Sequence, residues 1–582
     1  MTSPLPRLPR ALTLAFLLLL PLLAFAQNAA TGVVTGRILN PATGEFVRHA
    51  QVRIEGASQT AVSEDGGVYR LSGIPPGDVS LVVTYTGYHP STATVRVTAG
   101  ATVTRDFEIT SALQERSAAS TPIKLDQYIV SSEREGNAKA IMQQRNSMNI
   151  TNSVASDVFG DVAEGNVGEF LKHMPGVMLD LIEGEVRNVS LRGLDSDYTG
   201  VTLDGISLAG ADAIHATGGT RAFSFEQVSL NSMESIEVSK TISADTNANA
   251  PAGTINLKAR RAFDRQGRRI SWQANVTAFS RELTLNRTPG PDDNPSRKIL
   301  PGGIFEYSDV FLNRRLGLVL NLSESNVYSE ITHTSMGYNQ AATATDPRPA
   351  VITSLSTFHG PRTNRRSAIT FTSDYKATPN LVLSLGFIYN HSDLWFFFRN
   401  LALNTGARTG VLGADPLTHF TSTAAGTVVV SPIAVSKLGT TYTYMPRFEY
   451  KKGGLAIEGR FAASDSESIY EPQQRRGAIF NFNPQALGVT FTAQRSRLTS
   501  ADWQVRQIAG PDISDGANFT NPTLVTDDGR YTRVKLYSAD VSASLNTRHF
   551  GIPFVWKAGA KKTRDIRDFE LSREAFRYNY TG

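Results

Sequence analysis

VSLRGLDSDYTGVTLDGI fills Val189–Ile206, and MESIEVSKTISADTNANAPAGTINLKAR fills Met233–Arg260. Two strand-like runs, Val189–Leu191 and Gly200–Asp204, flank a patch crowded with the turn formers Gly, Asp and Ser. A third run, Ile236–Ser239, leads through a loop of small residues into Gly253–Leu257. Just upstream, Asn166–His173 carries Val167, Phe170 and Leu171 at helical spacing, and Pro175 ends it. A short helix and several strands in so little chain specify a compact α/β domain, placed at residues 150–260.

The order of motifs is more telling than any one of them. GEFLKHMPGV (Gly168–Val177) comes first, then LRG (Leu191–Gly193), VTLDGI (Val201–Ile206), MESIEV (Met233–Val238) and a glycine ahead of INLK (Gly253, Ile255–Lys258). In that order they resemble the plug domain of TonB-dependent receptors, outer-membrane proteins that draw scarce nutrients through a closed barrel. The resemblance implies structural or gating roles for Pro175, Gly176, Arg192, Gly193, Asp204, Gly205, Glu237, Lys240 and Gly253. Of these, Arg192, Asp204, Glu237 and Lys240 are charges that either meet ionised groups on a barrel wall or stabilise the plug's own surface and turns. The chain departs from the family pattern after IEV. Many members continue with Lys-Gly-Pro and a Gly-rich run, whereas Ser239–Pro251 reads SKTISADTNANAP, so a different backbone course is expected there.

Composition bounds the alternatives. A chain of 582 residues exceeds one ordinary core, and 41% hydrophobic with 9% aromatic residues excludes wholesale disorder. The net charge of +5 is spread over 58 basic and 53 acidic residues, so no concentrated basic face argues for nucleic acid. Arg7 and Arg10 precede an apolar run, Ala11–Leu23, and then Ala24-Phe25-Ala26, which reads as a signal peptide over residues 1–26. Cysteine is absent, which removes disulfides and thiolate metal sites. No later stretch offers eighteen continuous apolar residues, so entry into a membrane downstream requires a closed β-barrel.

Between the signal and the α/β domain, residues 27–111 alternate with period two. Val52 and Ile54, Val79 to Tyr85, Val95 and Val97, and Phe107 and Ile109 are punctuated by Asn40-Pro41, Asp65-Gly66-Gly67 and Pro75-Pro76-Gly77. The pattern predicts a small antiparallel β-sandwich, and TGRILNPATGEFVRHAQVRIEG followed by EDGGVYRLSGIPPGDVSLVVTYTGY resembles the carboxypeptidase regulatory-like domain. Nothing in it performs peptidase chemistry, so the expected role is structural or docking. Residues 112–149 read as a linker interrupted by KLDQYIVSS. There Asp126, Gln127, Tyr128, Ile129, Val130 and Ser131 form a candidate strand that adds to a partner's sheet edge, or else a plain linker strand. In the resembled family such an element is the TonB box, and the implied partner is a TonB-like periplasm-spanning protein.

From residue 261 to 582 long alternating strands take over. Ile270, Trp272, Ala274, Val276 and Ala278 lie on one face of the first, and Ser271, Gln273, Asn275 and Thr277 on the other. Short turns at Asn313–Arg315, Ala377–Asn380 and Lys451–Gly454, and one between Val534–Asn546 and Phe554–Lys562, alternate with long polar connections near 281–303, 329–366, 393–440 and 466–532. Segregated loop lengths are what a membrane barrel requires, with short turns at the periplasmic rim. Tyr389, Trp395 and Trp556 are expected at the membrane interface. The fold class is therefore mainly β: sandwich, α/β plug, and the first part of an antiparallel transmembrane barrel. About nine strands are counted before Gly582, whereas bacterial barrels are even-numbered and this family closes at about 22, so the chain reads as C-terminally incomplete.

The sequence carries no recognisable catalytic constellation. No two histidines fall within five residues, and neither GxSxG, GxxxxGK[ST] nor GxGxxG occurs. Asp195 and Asp197 read as turn formers. No metal, cofactor or enzymatic activity is expected. The resemblance implies energised uptake across the outer membrane of an extracellular ligand, a carbohydrate or a siderophore-like chelate, with outer-membrane lipid around the barrel. Leu394–Phe398, read as an aromatic loop, either stacks such a ligand or belongs to an interfacial girdle. The alternative is a surface binding or adhesion protein without transport.

Overall fold

A computed structural model describes residues 31–57, 59–110, 138, 140–145, 147, 149–155, 166–182, 185–215, 220–228, 233–244, 246–264, 267–288, 296–338, 341, 352–405, 418–422, 426–470, 479–497, 500, 502–519, 525–549 and 552–576. The signal-peptide reading (1–26) and the strand Asp126–Ser131 lie outside the described residues. The chain divides into an N-terminal unit and a larger one that follows it.

The N-terminal unit is a β-sandwich. Its strands are β1 (Gly32–Asn40), β2 (Glu45–Phe46), β3 (Gln51–Ile54), β4 (Thr60–Val62), β5 (Val68–Ile74), β6 (Gly77–Thr84), β7 (Ser91–Val97), β8 (Thr102–Thr104) and β9 (Phe107–Glu108). One sheet runs β2-β1-β5 with β8 and β9 also on β1, and the other runs β4-β3-β6-β7. Val34, Ile38, Tyr69 and Leu71 of the first sheet and Val52, Leu81 and Val83 of the second are buried. One expectation needs correcting, because β8 and β9 pair with β1 in parallel. The chain reaches them by crossing between sheets, and a crossover is not bound to the antiparallel geometry that a hairpin enforces.

The larger unit begins with the α/β domain. It contains β10 (Thr151–Ala155), a one-turn helix (Val167–Leu171), β11 (Val177–Ile182), β12 (Glu185–Leu191), β13 (Thr199–Leu203), β14 (Ile206–Ser207), β15 (Met233–Ser239) and β16 (Gly253–Ala259). The sheet order is β10-β15-β16-β13-β14, with only β13–β16 parallel, and β11-β12 form a separate hairpin. Asn166 caps the helix by accepting from Gly168 N–H at 2.8 Å, and Val167, Phe170 and Leu171 are buried, as the helical spacing predicts. Their core takes in Leu191, Leu203, Ile236, Val238, Ile255 and Leu257, and also Ile388, Met445 and Ala462 from strands that come much later in the chain.

Those later strands are β17 (Arg269–Ala278), β18 (Arg287–Thr288), β19 (Ser296–Arg297), β20 (Ile299–Phe311), β21 (Leu316–Tyr338), β22 (Ile352–Thr378), β23 (Leu381–Asn404), β24 (His419–Thr421), β25 (Thr427–Lys452), β26 (Leu455–Tyr470), β27 (Ile479–Phe482), β28 (Gln485–Leu487), β29 (Thr490–Gln494), β30 (Gln504–Ala509), β31 (Val525–His549) and β32 (Ile552–Phe576). The long ones form one antiparallel sheet, β17-β20-β21-β22-β23-β25-β26-β31, with β32 on β31. β27 resumes the line of β26 between β25 and β31. Among the described residues β17 pairs only with β20, and β32 only with β31. On β17 the expected alternation holds: Ile270, Trp272 and Val276 are more than half exposed, and the intervening polar residues point to the opposite face. No helix among the described residues is long and apolar enough to cross a membrane.

The strands reach well into what read as polar loops. β22, β23 and β25 each run for 24 residues or more, so much of 329–366 and 393–440 is strand. Leu394–Phe398 is accordingly a strand segment, and Leu394, Trp395, Phe396 and Phe398 are buried. Tyr389 and Trp395 stand within β23, while Trp556, near the start of β32, is 59% exposed. The connections that remain long gather at the rim opposite the short turns. There β24-β29-β30 form a separate small sheet, and Val428, Val489, Phe491 and Leu403 make a local apolar core.

Candidate functional site

Each motif residue of the α/β domain has a definite place. Asp204-Gly205 is the two-residue turn between β13 and β14, with φ of 49° and 82°, a left-handed pair in which Asp-Gly is favoured. The Asp204 carboxylate accepts from Arg261 Nη2 at 2.7 Å and from Ala259 N–H at 3.3 Å. Burial alone would raise its pKa, but Arg261, then Lys258, hold it below the usual carboxylate range. Arg261 also donates to Asp374 on β22 at 3.1 Å, which ties the turn to the sheet. Arg460 on β26 donates to the Asp204 carbonyl at 3.4 Å and to Asp540 on β31 at 3.2 Å.

The other motif residues act within the domain. Arg192 (φ 57°) donates to the Ala252 and Pro251 carbonyls at 3.2 and 3.0 Å, and Gly193 follows it at φ 74°. Gly176, after Pro175, lies at φ 74°, accepts from Arg192 N–H at 2.9 Å and is overlain by the Lys240 side chain. Glu237 accepts from Asn256 at 3.3 Å and faces Lys258 at 3.8 Å. Gly253 sits at φ 125°, and a Cβ there would stand 2.4 Å from the Ser239 carbonyl oxygen. Asp195 caps the turn at 196–198 through Asp197 N–H. Asp197 gathers Thr220, Arg221 N–H and Ala222 N–H, a tertiary role beyond its own turn.

Two charge clusters join the domain to the sheet, and sequence reasoning singled out none of their members. Glu185, at the tip of the β11–β12 hairpin, accepts from Arg362 at 2.9 Å, Arg366 at 2.7 Å and Asn364 at 2.8 Å, all three on β22. Burial opposes its ionisation, but Arg362 and Arg366 outweigh burial and hold the carboxyl far below the usual range. In the second cluster Arg187 donates to Asp212 and Glu226, each at 2.9 Å. Lys437 on β25 donates to both carboxylates, reaching Glu226 at 2.6 Å. Burial again opposes ionisation of Asp212, and Lys437 and then Arg187 depress its pKa. Arg366 Nε donates to the Glu226 carbonyl at 2.7 Å and links the two clusters.

Beside the charges runs a ladder of hydroxyls. Ala209, Ala211 and Ala213 donate their N–H groups to Ser464, Ser466 and Ser468 of β26 at 3.2, 2.9 and 3.1 Å. The serines alternate along β26, so every second residue there presents a hydroxyl to the backbone donors of 209–213. Gln227 donates to the Ala211 carbonyl at 3.1 Å and accepts from Thr441 at 2.7 Å. Ala209 and Ala211 also pack against Val534 and Leu536 of β31. The SDSES run, Ser464–Ser468, carries the only sequence signal for this ladder: serines spaced by two on a strand. Such an interface holds a domain by contacts that separate and re-form without any covalent change.

Comparison with known proteins agrees with these parts. Residues 33–110 match the carboxypeptidase regulatory-like domain, and residues 143–254 match the TonB-dependent receptor plug domain. No curated protein matches the chain. Among solved structures, a cohesin–X-dockerin complex from Acetivibrio cellulolyticus is 21% identical over 14% of this chain and 58% of its own, with a TM-score of 0.12. The outer-membrane transporter YddB from Escherichia coli is 11% identical over 72% and 74%, with a TM-score of 0.28. The siderophore receptor PirA from Acinetobacter baumannii is 9% identical over 74% and 79%, with a TM-score of 0.26. The region that matches the TonB-dependent receptor plug domain lies against the long antiparallel sheet, whose first strand, β17, has an exposed apolar face.

Proposed function

We propose that the protein takes up an extracellular ligand, a carbohydrate or a siderophore-like chelate, across the outer membrane. In this reading a TonB-like periplasm-spanning protein pairs with Asp126–Ser131 and delivers the energy of the proton gradient as a pull. The observation that carries it is the plug–sheet interface, in which Glu185, Asp212 and Glu226 face Arg362, Arg366 and Lys437. An adhesin has no need of a domain held to its wall by separable ionic contacts. The sandwich is read as a periplasmic structural or docking module. Deleting residues 126–131 is expected to abolish uptake of the limiting nutrient while surface binding of that ligand stays intact. Unchanged growth on that nutrient defeats the transport reading and favours the binding one.

A further inference from the structure

The outward face of the long sheet carries a boundary that transport does not require. Rising from the short turns, most outward residues are apolar or aromatic, as with Leu318, Leu320 and Leu322 on β21 and Leu383, Leu385 and Phe387 on β23, with Asp309 on β20 and Ser373 on β22 as exceptions level with Leu318. Each run then ends at a polar or charged residue: Glu324, His391, Asp465 on β26, Lys535 on β31 and Lys562 on β32. The hydrogen-bond register connects Glu324 through Ser367, His391, Thr440, Glu467 and Arg533 to Asp568. The switch leaves that ladder, falling one alternate position lower on β26 and three lower on β32. It follows the turn rim instead on β21, β23, β26 and β32, about ten residues above it, and stands about fourteen residues above it at Lys535 on β31. Ten residues at about 3.3 Å and a tilt of about 45° span about 23 Å, close to the band that lipid requires.

At this edge Arg365 is paired with Glu324, and Arg533 with Asp465. Lys535, Lys562 and Arg564 share the outward face of β31 and β32 and form no ion pair among the described residues. Lys562 and Arg564 are exposed, and Tyr537, the register partner of Arg564, is 48% exposed. The further outward carboxylates of β32, Asp568 and Glu570, stand higher, beyond Ile566. We propose that Lys535, Lys562 and Arg564 bind the phosphate-bearing headgroup of an outer-leaflet lipid. Long basic side chains at the top of an apolar band extend to the level where lipid phosphates lie, and Tyr537 and Val541, nearer the turn than Lys535 on β31, meet the start of the acyl chains. The proposal rests on the band being lipid-facing.

The test uses the full chain in detergent and native mass spectrometry with added bisphosphorylated lipid A or the same lipid dephosphorylated. Wild type is expected to retain the phosphorylated form at least about tenfold better. The triple variant Lys535→Gln/Lys562→Gln/Arg564→Gln is expected to lose that preference and Arg564→Gln alone to lose part of it, while Lys561→Gln, on the opposite face of β32, keeps it. Circular dichroism of each variant checks that the β-sheet persists, and the single variant serves if the triple one does not fold. Equal retention of the two lipids by wild type, or an undiminished preference in the variants, overturns the proposal. Failure of wild type to insert into lipid nanodiscs at all would instead sink the membrane reading beneath it.

Discussion

Glu185→Gln removes one negative charge and almost no volume from the junction of plug and sheet. In the wild type this carboxylate faces Arg362 and Arg366, whose side chains are 2% and 1% exposed. Removing one member of a buried ion pair costs about 3–5 kcal/mol, because the remaining charge stays desolvated. Here the lower end applies, since Arg366 keeps its bond to the Glu226 carbonyl and Asn364 keeps a partner in the new amide. About 3 kcal/mol corresponds to a little over a hundredfold in an opening equilibrium. Hydrogen–deuterium exchange of the amides of Glu185–Leu191 should therefore accelerate by about two orders of magnitude wherever local opening limits exchange. The double variant Glu185→Gln/Arg366→Gln should recover part of the loss, as coupled neighbours do. The sign with pH follows from the depressed pKa of Glu185. Its contribution is complete above the unfolded value, about 4.3, and is lost only as pH falls through the much lower folded value. Exchange in this segment should thus stay flat from pH 7 to 5 after correction for intrinsic rates. Exchange within threefold of wild type in Glu185→Gln would refute the idea that this cluster holds the plug.

Two further substitutions separate other terms. Gly253→Ala places a Cβ against the Ser239 carbonyl at φ 125°, whereas Gly193→Ala at φ 74° meets nothing within 4 Å. The first should cost well over about 2 kcal/mol and the second about 1 kcal/mol, read as the relative denaturant midpoints of the folded protein. Ser466→Ala strips a fully buried acceptor from Ala211 N–H and a partner from Thr441. A loss of about 1–3 kcal/mol is expected, read as faster exchange at Ala211, with no change at the Glu185 hairpin.

How much of this was legible depended on the length scale of each interaction. The Asp204-Gly205 turn and the helix Val167–Leu171 are decided by neighbours in sequence, and the motif spacing carried them. The alternation on β17 is likewise local, because successive side chains of a strand point to opposite faces. Arg362, Asn364 and Arg366 failed that test for a physical reason. They lie on the part of β22 above the apolar band, where both faces meet water or polar groups and the hydrophobic period disappears. A strand without that period reads as a polar loop, and Leu394–Phe398, where both faces are buried, read as an aromatic loop for the same want of alternation. The ion pairs themselves join residues 177 to 225 positions apart, and no window of sequence shows such partners.

The two sides of the plug–sheet interface differ in kind, and the difference bears on how a pull would act under the proposed function. Toward β22 and β25 the contacts are buried ion pairs, which are costly to break singly because each orphaned charge stays desolvated. Toward β26 and β31 they are hydroxyl hydrogen bonds and alanine packing, each worth about 1 kcal/mol and readily replaced by water. Force entering from residues upstream of 150 meets neither side first. It meets the helical residues 140–145, where Ala140 and Met142 are buried, and then β10, an edge strand that among the described residues pairs only with β15, over five residues. Peeling β10 exchanges a few backbone hydrogen bonds for hydrated ones, a smaller step than opening either charge cluster. Under the proposed function, a pull that stops there would loosen the plug's own sheet and leave the charge clusters closed, so a path would open by unravelling within the plug before the domain as a whole leaves the wall.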